Sequence, residues 1–221
     1  MSRLLETLEI ETAPDPQASV IWLHGLGADG HDFEPIAHEL DLSPAAVRFV
    51  FPHAPMMPVT INQGFVMRAW FDIVATDLGR QEDTAGIRAS QATLEGLIAR
   101  ERERGIAARR IVLAGFSQGG AIALQTGLRH PDRLAGIMAL SCYLPIASSV
   151  AGEAHTANRD VPIFMAHGEL DPIVPIARAR DSCKLLEGLG YAVEWHEYRM
   201  PHSVCVEEIA QLGAWLQRIL A

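Results

Sequence analysis

Short apolar runs alternate with longer amphipathic stretches along most of this chain. Runs rich in β-branched and aromatic residues predict a first strand that ends at residue 11. They predict six further strands at 19–24, 47–51, 110–114, 134–141, 161–167 and 191–198. Apolar residues at helical spacing predict helices at 32–40, 84–105, 120–124, 177–187 and 204–220. The first strand is expected at an edge of the sheet because its sequence is the most polar of the set.

Two segments break this alternation. The prolines of 52–58 lack amide donors, so this segment is expected to be irregular, and the small polar segment 146–159 predicts a surface loop. Because strands alternate with helices elsewhere, we expect a mostly parallel central sheet with helices on both faces. The connections are too short for a separate cap domain, and the sequence predicts a single α/β domain over 1–221.

One strand–turn–helix segment carries the strongest chemical signal. Its turn, Gly115-Phe116-Ser117-Gln118-Gly119, matches the G-x-S-x-G nucleophile elbow. Such a sharp turn strains the serine backbone, and glycines two residues before and after it avoid a collision across the turn. Ser117 is therefore the candidate nucleophile, beside a helix N-terminus that favours negative charge. The backbone N–H of Gln118 is expected to face an oxyanion.

A serine nucleophile needs a base, and the base needs an acid that orients it. In this arrangement the acid follows the serine along the chain and ends a strand. The segment after strand 161–167 offers Glu169 and Asp171. Asp171 is preferred because it lies nearer the loop tip and Pro172 stiffens its exit, although an ordinary Asp-Pro turn would also explain it.

Two of the nine histidines follow Asp171 and compete for the role of base. His196 lies inside the last predicted strand, where an ordinary position in the sheet explains it. His202 comes just after that strand and directly before the last helix. This loop belongs to the carboxyl edge of the sheet, where α/β folds bind ligands, so His202 is the predicted base.

The loop after strand 19–24, His24-Gly25-Leu26-Gly27, predicts the second half of an oxyanion hole. Its glycines let the backbone approach a substrate, the N–H of Leu26 is the natural donor, and His24 is expected to hold the loop. With Gly30 the segment also matches the dinucleotide fingerprint G-x-G-x-x-G. That fingerprint needs an acid at the end of the next strand, where this chain has Phe51-Pro52-His53. A dinucleotide-dependent oxidoreductase is therefore only a distant alternative.

Composition narrows the classes of function. The chain has 221 residues and 49% hydrophobic content, enough for one large core, and its net charge of −9 argues against nucleic acid as the main partner. No segment reaches the apolar length of a membrane span or resembles a signal peptide. Three widely spaced cysteines predict neither a disulfide framework nor a zinc site, and they are typical of the cytoplasm.

Seven stretches together resemble a known family. They are 22–27, 58–60, 70–72, 115–120, 140–145, 157–160 and 167–172. In these stretches the sequence resembles the acyl-protein thioesterases and bacterial carboxylesterases, the phospholipase/carboxylesterase family of α/β hydrolases. The resemblance implies the α/β-hydrolase fold, Ser117, Asp171 and His202 as a catalytic triad, and Leu26 and Gln118 as oxyanion donors.

The resemblance also implies an acyl groove bordered by apolar residues that plain core packing would equally explain. These residues are Met57, Trp70, Ile73, Tyr143 and Ile173. Two positions depart from the family pattern. Glu169 stands where many members carry Asp, which leaves the assigned acid unchanged, and Pro201 stands before His202 where Gly or Met is expected. Proline restricts the loop that presents the histidine.

The sequence therefore predicts a serine hydrolase without cofactor or metal that cleaves carboxylic esters of short to medium acyl chains through an acyl-enzyme. An acyl-protein thioesterase is the alternative, because both reactions use the same chemistry; the ester is preferred because no lipid-targeting feature is visible. A non-catalytic binding protein of the same fold is disfavoured since all three triad residues are present. The expected partner is an acyl ester, a thioester or an acylated protein, not nucleic acid or an integral membrane. The resemblance implies that some members of the family dimerise, so a homodimer is the candidate assembly.

Overall fold

A mostly parallel sheet forms the centre of the protein. The computed structural model describes residues 5–74 and 82–221. The strands are β1 (Thr7–Glu11), β2 (Ala18–Leu23), β3 (Val47–Pro52), β4 (Met56–Val59), β5 (Phe65–Arg68), β6 (Ile111–Phe116), β7 (Gly136–Leu140), β8 (Ile163–Gly168) and β9 (Val193–Tyr198). Seven of them form the main sheet in the order β1-β3-β2-β6-β7-β8-β9, in which β1 alone runs antiparallel to its neighbour.

Helices pack against both faces of this sheet. They are α1 (Glu34–Glu39), α2 (Thr84–Glu103), α3 (Gln118–Gly127), α4 (Val150–Glu153), α5 (Ile176–Gly188) and α6 (Val206–Leu220). Alternate residues of a strand face opposite sides, so Leu113 of β6 joins the core under α2, α3 and α5, while Val112 joins the core under α1 and α6. The predicted mostly parallel α/β architecture with helices on both faces is confirmed.

The prediction of irregular structure at 52–58 is wrong. Residues 56–59 form β4, which pairs antiparallel with β5 as a separate two-stranded hairpin. Pro58 fits because a two-stranded ribbon leaves every residue at an edge, where a missing amide donor is tolerated. No strand was predicted where β5 lies.

The prediction of a plain surface loop at 146–159 is also wrong. This segment contains α4 and two short 3-10 turns, Ala147–Ser149 and Thr156–Asn158. The side chain of Asn158 is fully buried; its amide donates to the carbonyls of His130 and Asp132, and its oxygen accepts from the N–H of Leu134. A buried amide with three hydrogen bonds fixes this segment, although its small polar residues had predicted a surface loop.

The remaining predicted elements are present with shifted ends. The first strand covers Thr7–Glu11, and residues 1–4 lie outside the described part of the chain. Helix α1 spans only Glu34–Glu39 and carries a proline in its first turn, and α2 is capped by Asp83, which accepts the N–H of Gly86 at 2.9 Å. In the described part of the chain, no helix combines the length and the apolar character that a membrane crossing requires.

Candidate active site

The candidate nucleophile sits in a strained turn between β6 and α3. Ser117 adopts φ 55° and ψ −120°, and its N–H donates to the carbonyl of Leu140 at 2.9 Å. Conformations of this kind cost about 1–3 kcal/mol and persist only where the surroundings enforce them. The hydrogen bond to the end of β7 is one such constraint, and it lifts the serine to the carboxyl edge of the sheet.

The glycines on both sides of Ser117 are required by close backbone approach. A Cβ on Gly115 would lie 2.2 Å from the carbonyl carbon of Gly119, so the predicted collision across the turn is real for that residue. A Cβ on Gly119 would instead lie 2.2 Å from the carbonyl oxygen of Leu23 at the end of β2. The second glycine therefore serves the packing of α3 against the neighbouring strand rather than the turn itself.

The three candidate triad side chains form one hydrogen-bonded chain. His202 Nε2 lies 3.0 Å from Ser117 Oγ, and His202 Nδ1 lies 2.6 Å from Asp171 Oδ2. The other carboxylate oxygen of Asp171 accepts the backbone N–H groups of Ile173 and Val174 at 2.8 and 2.9 Å. These two bonds fix the plane of a buried carboxylate, and the carboxylate in turn orients the imidazole toward the serine.

The rejected candidates lie elsewhere. Glu169 is exposed and its backbone N–H donates to the carbonyl of Tyr198, while His196 sits on β9 and stacks on Phe164 with ring centroids 4.8 Å apart. The loop that contains Pro201 still presents the histidine. A Cβ on Gly168 would lie 2.4 Å from the carbonyl of Pro201, so this glycine allows the acid loop and the histidine loop to pack together.

Two backbone N–H groups near Ser117 were predicted as oxyanion donors, those of Leu26 and Gln118. Within residues 5–74 and 82–221, neither the N–H of Leu26 nor that of Gln118 donates a hydrogen bond. Gln118 is the first residue of α3, where amide groups have no partner inside the helix. Leu26 follows β2 at the same sheet edge as Ser117, and both Leu26 and Gln118 line the cleft described below.

His24 holds the Leu26 loop from beneath. Its Nδ1 lies 2.7 Å from the carbonyl of Gly25 and its Nε2 accepts the N–H of Ala54 at 3.0 Å, which assigns the proton to Nδ1. Burial lowers the pKa of His24 to about 4, so the ring is neutral at pH 7. A neutral ring with one donor and one acceptor satisfies both bonds at once.

An apolar cleft opens beside Ser117. It has a volume of about 680 Å³ and is lined by Ser117, by His202 and by residues of several neighbouring loops, whereas Asp171 lies outside it. Of the five predicted groove positions, Ile73, Tyr143 and Ile173 line it. Burial raises the pKa of Tyr143 to about 12, and the guanidinium of Arg178 lies 4.2 Å from the centre of its ring. The tyrosine is therefore a neutral wall of the cleft.

Met57 and Trp70 do not line this cleft. Met57 lies within the β4–β5 hairpin opposite Met67, and Trp70 is buried with its indole N–H bonded to the carbonyl of His24 at 2.9 Å. Apolar character alone does not separate a groove residue from a buried structural one. Sequence reasoning missed several lining residues, among them Ile61, Phe71, Phe116 and Pro175. Only Phe116, inside the serine motif itself, carried a usable signal.

The glycines of the dinucleotide fingerprint have a packing explanation. A Cβ on Gly30 would lie 2.6 Å from the carbonyl of Phe51 on β3. Next to it, Asp29, His31 and His53 bring oxygen and nitrogen atoms within 4.8 Å of one another, an arrangement that metal ions use. His53 Nδ1 already accepts the N–H of Gly30 at 3.1 Å, so a metal on that nitrogen would displace this bond. None of the chemistry proposed below uses an ion here.

A mostly parallel sheet with a serine elbow, an acid and a histidine on successive loops of one edge defines an α/β hydrolase. A family model described as Phospholipase/Carboxylesterase matches residues 5–220, and the chain belongs to this family of esterase and thioesterase enzymes. It is 41% identical over 223 residues to acyl-protein thioesterase 1 of Gibberella zeae, covering 96% of this chain and 95% of that one. It is 43% identical over 213 residues to acyl-protein thioesterase 1 of Neurospora crassa, covering 90% and 85%.

A solved structure shows the same fold. The crystal structure of Arabidopsis thaliana SOBER1 matches with a TM-score of 0.87 and 30% identity, covering 92% of this chain and 99% of that one. The predicted family and the predicted α/β-hydrolase fold are therefore confirmed. The names of the curated relatives favour the thioesterase alternative over the ester reading that the sequence had placed first.

Proposed function

We propose that this chain is an acyl-protein thioesterase that works through Ser117, His202 and Asp171. The observation that carries the proposal is the continuous chain from Asp171 through His202 to Ser117, at 2.6 and 3.0 Å, beside an apolar cleft. The acyl-protein thioesterase relatives support a thioester substrate, and the apolar lining of the cleft suits an acyl chain. Esters of short to medium chain length become the second candidate.

In the proposed reaction, Ser117 Oγ attacks the carbonyl carbon of the thioester while His202 Nε2 takes its proton. The carbonyl oxygen becomes an oxyanion that accepts the N–H groups of Leu26 and Gln118. The C–S bond then breaks, His202 returns the proton to the leaving sulfur, and the acyl group remains on Ser117. Water attacks this acyl-enzyme with His202 as base, which releases the fatty acid and restores the serine. Asp171 orients the imidazole and stabilises its protonated form.

The first experiment tests the nucleophile. A fluorophosphonate probe is expected to label Ser117, and Ser117→Ala is expected to lose labelling and hydrolysis together. Ser148→Ala, an exposed serine outside the cleft, serves as the matched control. Hydrolysis that survives in Ser117→Ala would overturn the catalytic assignment.

The second experiment tests the substrate class. Oxyesters and thioesters of equal acyl length, from four to about sixteen carbons, are compared by kcat/KM together with release of palmitate from an S-acylated peptide. The proposal expects the highest kcat/KM for long-chain thioesters, because binding of the acyl chain in the apolar cleft contributes to transition-state binding. A maximum for short oxyesters would instead support the carboxylesterase reading.

A cytoplasmic location is part of the proposal. All three cysteines are unpaired; Cys142 and Cys183 are buried, and Cys205 is half-buried. Unpaired thiols are typical of a reducing compartment, where S-acylated proteins present their lipid at membrane surfaces. Homodimer formation stays a prediction, which analytical ultracentrifugation of the full chain would test.

A further inference from the structure

Trp70 connects three elements beneath the cleft. It is 3% exposed, and each of its polar groups has a partner. The indole N–H donates to the carbonyl of His24 at 2.9 Å, and the backbone N–H donates to the side-chain oxygen of Gln118 at 3.1 Å. Its carbonyl accepts the hydroxyl of Ser90 on α2. The amide of Gln118 also donates to the carbonyl of Phe71 at 2.9 Å, which locks this side chain to the same backbone segment.

One end of this network reaches the peptide group that contains the Leu26 amide. The carbonyl of Gly25 and the N–H of Leu26 belong to one planar peptide unit and point in opposite directions. His24 Nδ1 donates to that carbonyl at 2.7 Å, so the imidazole sets the direction of the Leu26 N–H. The Trp70 indole in turn holds the backbone carbonyl of His24, and the two rings pack with centroids 5.3 Å apart.

The other end reaches the second donor. Gln118 lines the cleft and its backbone N–H donates no hydrogen bond among the described residues, while its side chain is held by the backbone of Trp70 and Phe71 on both its oxygen and its nitrogen. The N–H groups of Leu26 and Gln118 belong to segments that are far apart in sequence. A continuous series of hydrogen bonds, from the Gly25 carbonyl through His24 and Trp70 to Gln118, joins them.

We propose that Trp70 is a positioning residue for the oxyanion hole, which fixes the Leu26 and Gln118 N–H groups relative to each other. This inference rests on the proposed function, because only a reaction with an oxyanion uses both donors. It replaces the predicted role of Trp70 in an acyl groove. The donors gain from fixed positions because preorganised N–H groups need no reorganisation when the charge develops.

A structural role alone would make different predictions, and Trp22 provides the matched comparison. Trp22 is also fully buried, and its indole nitrogen has no hydrogen-bond partner among the described residues. Trp22→Phe therefore removes packing from the core but no bond to the loop. Trp70→Phe removes similar packing together with the donor to the His24 carbonyl.

The decisive measurement compares Trp70→Phe with Trp22→Phe. Trp70→Phe is expected to lower kcat about ten-fold with KM within two-fold, less than the hundred-fold or larger loss on removing an oxyanion donor outright. A trifluoromethyl ketone, which adds to Ser117 and leaves an oxyanion, is expected to bind about ten-fold more weakly to Trp70→Phe. Trp22→Phe is expected to change neither quantity. Equal kcat and equal ketone affinity in the two variants would overturn the proposal.

A second pair of variants decides the question even if Trp70→Phe does not fold. His24→Asn keeps a donor near the position of Nδ1, whereas His24→Leu removes it. The proposal expects kcat and ketone affinity to be higher in His24→Asn than in His24→Leu, and equal values would contradict it. Ser117→Ala separates the two levels: if it stays active, the proposed function fails, and if it is inactive while the paired variants behave alike, only the positioning role fails.

Discussion

The serine elbow and the β4–β5 hairpin border the same cleft but are built differently. At the elbow, a Cβ on Gly115 or Gly119 would lie 2.2 Å from a backbone atom, and Ser117 is held in a strained conformation. In the hairpin, Phe65 is 70% exposed and Met56 58% exposed, and a Cβ on Gly64 would meet no atom within 4 Å. The contrast indicates that the serine elbow tolerates almost no change, whereas the exposed positions of the hairpin can change at small cost in stability.

This difference has a direct consequence for mutation. A side chain added at the elbow meets main-chain atoms, which cannot move without disturbing β2 or α3. A side chain changed at an exposed hairpin position such as Phe65 or Met56 meets solvent. We therefore expect the effects of substitution on activity or stability to be largest in the triad. They are expected to be smaller at the elbow glycines and at Glu208 of α6, and smallest in the hairpin.

The largest effect is expected at the acid. Asp171→Asn keeps an oxygen that can accept the N–H groups of Ile173 and Val174, but it places an amide N–H opposite His202 Nδ1. The imidazole then favours the wrong tautomer, and kcat is expected to fall about 10⁴-fold with little change in stability. Steady-state kinetics measure this loss. Glu169→Gln is the matched control, and a greater loss in that variant would reassign the acid.

Glycine replacements test the comparison in the free energy of unfolding. Gly119→Ala places a methyl group 2.2 Å from the carbonyl of Leu23, and we expect a loss of about 3 kcal/mol or more. Gly64 in the hairpin turn has φ +76° with no atom within 4 Å of its Cβ position, so Gly64→Ala is expected to lose only about 1–2 kcal/mol of left-handed strain. Urea denaturation measures both, and similar losses would remove the distinction between the two regions.

Glu208, in the first turn of α6, makes stability depend on pH. Its side chain is fully buried, neither carboxylate oxygen has a hydrogen-bond partner among the described residues, and burial raises its pKa to about 8. Because the folded pKa exceeds the unfolded value near 4.5, the folded state binds more protons, and stability is lost as pH rises through about 8.

Glu208→Gln removes this titration. Its free energy of unfolding relative to that of the parent is expected to rise by about 3 kcal/mol between pH 5.5 and 9, because only the parent loses the stability linked to this carboxyl group. Denaturation curves at several pH values measure the margin, with the neighbouring exposed Glu207→Gln as control. A margin that stays constant with pH would mean that Glu208 does not titrate in this window.

The sequence allowed prediction of the serine elbow, the acid and the histidine because the constraints on them are local or topological. The elbow requires two glycines at fixed spacing, and the order of the strands limits Asp171 and His202 to later loops of the same edge. The catalytic roles themselves stay predictions, although the structure brings the three side chains together. Only the reason for Gly119 differs, since its contact is with Leu23, which is distant in the chain.

The β4–β5 hairpin and the lining of the cleft could not be predicted, for two physical reasons. Proline normally argues against a strand, and the tolerance for Pro58 depends on the absence of a third strand beside β4, which is a tertiary property. Apolar residues satisfy a core and a groove equally well, so Trp70 and Ile73 carried the same signal although the first is buried and the second lines the cleft. Sequence patterns give the face of an element, not the shape of the space next to it.

The smallest effects are expected in the hairpin region, and they separate its surface from the cleft. Phe65→Ser is expected to change the free energy of unfolding by less than about 0.5 kcal/mol, because the ring already faces solvent. Ile61 is 38% exposed and lines the cleft, so Ile61→Ser is expected to raise KM for long-chain substrates about three-fold with kcat unchanged. Phe65→Ser is expected to leave that KM unchanged. A larger rise in KM for Phe65→Ser than for Ile61→Ser would mean that the exposed hairpin face also binds the acyl chain. The acyl-binding surface would then extend beyond the cleft.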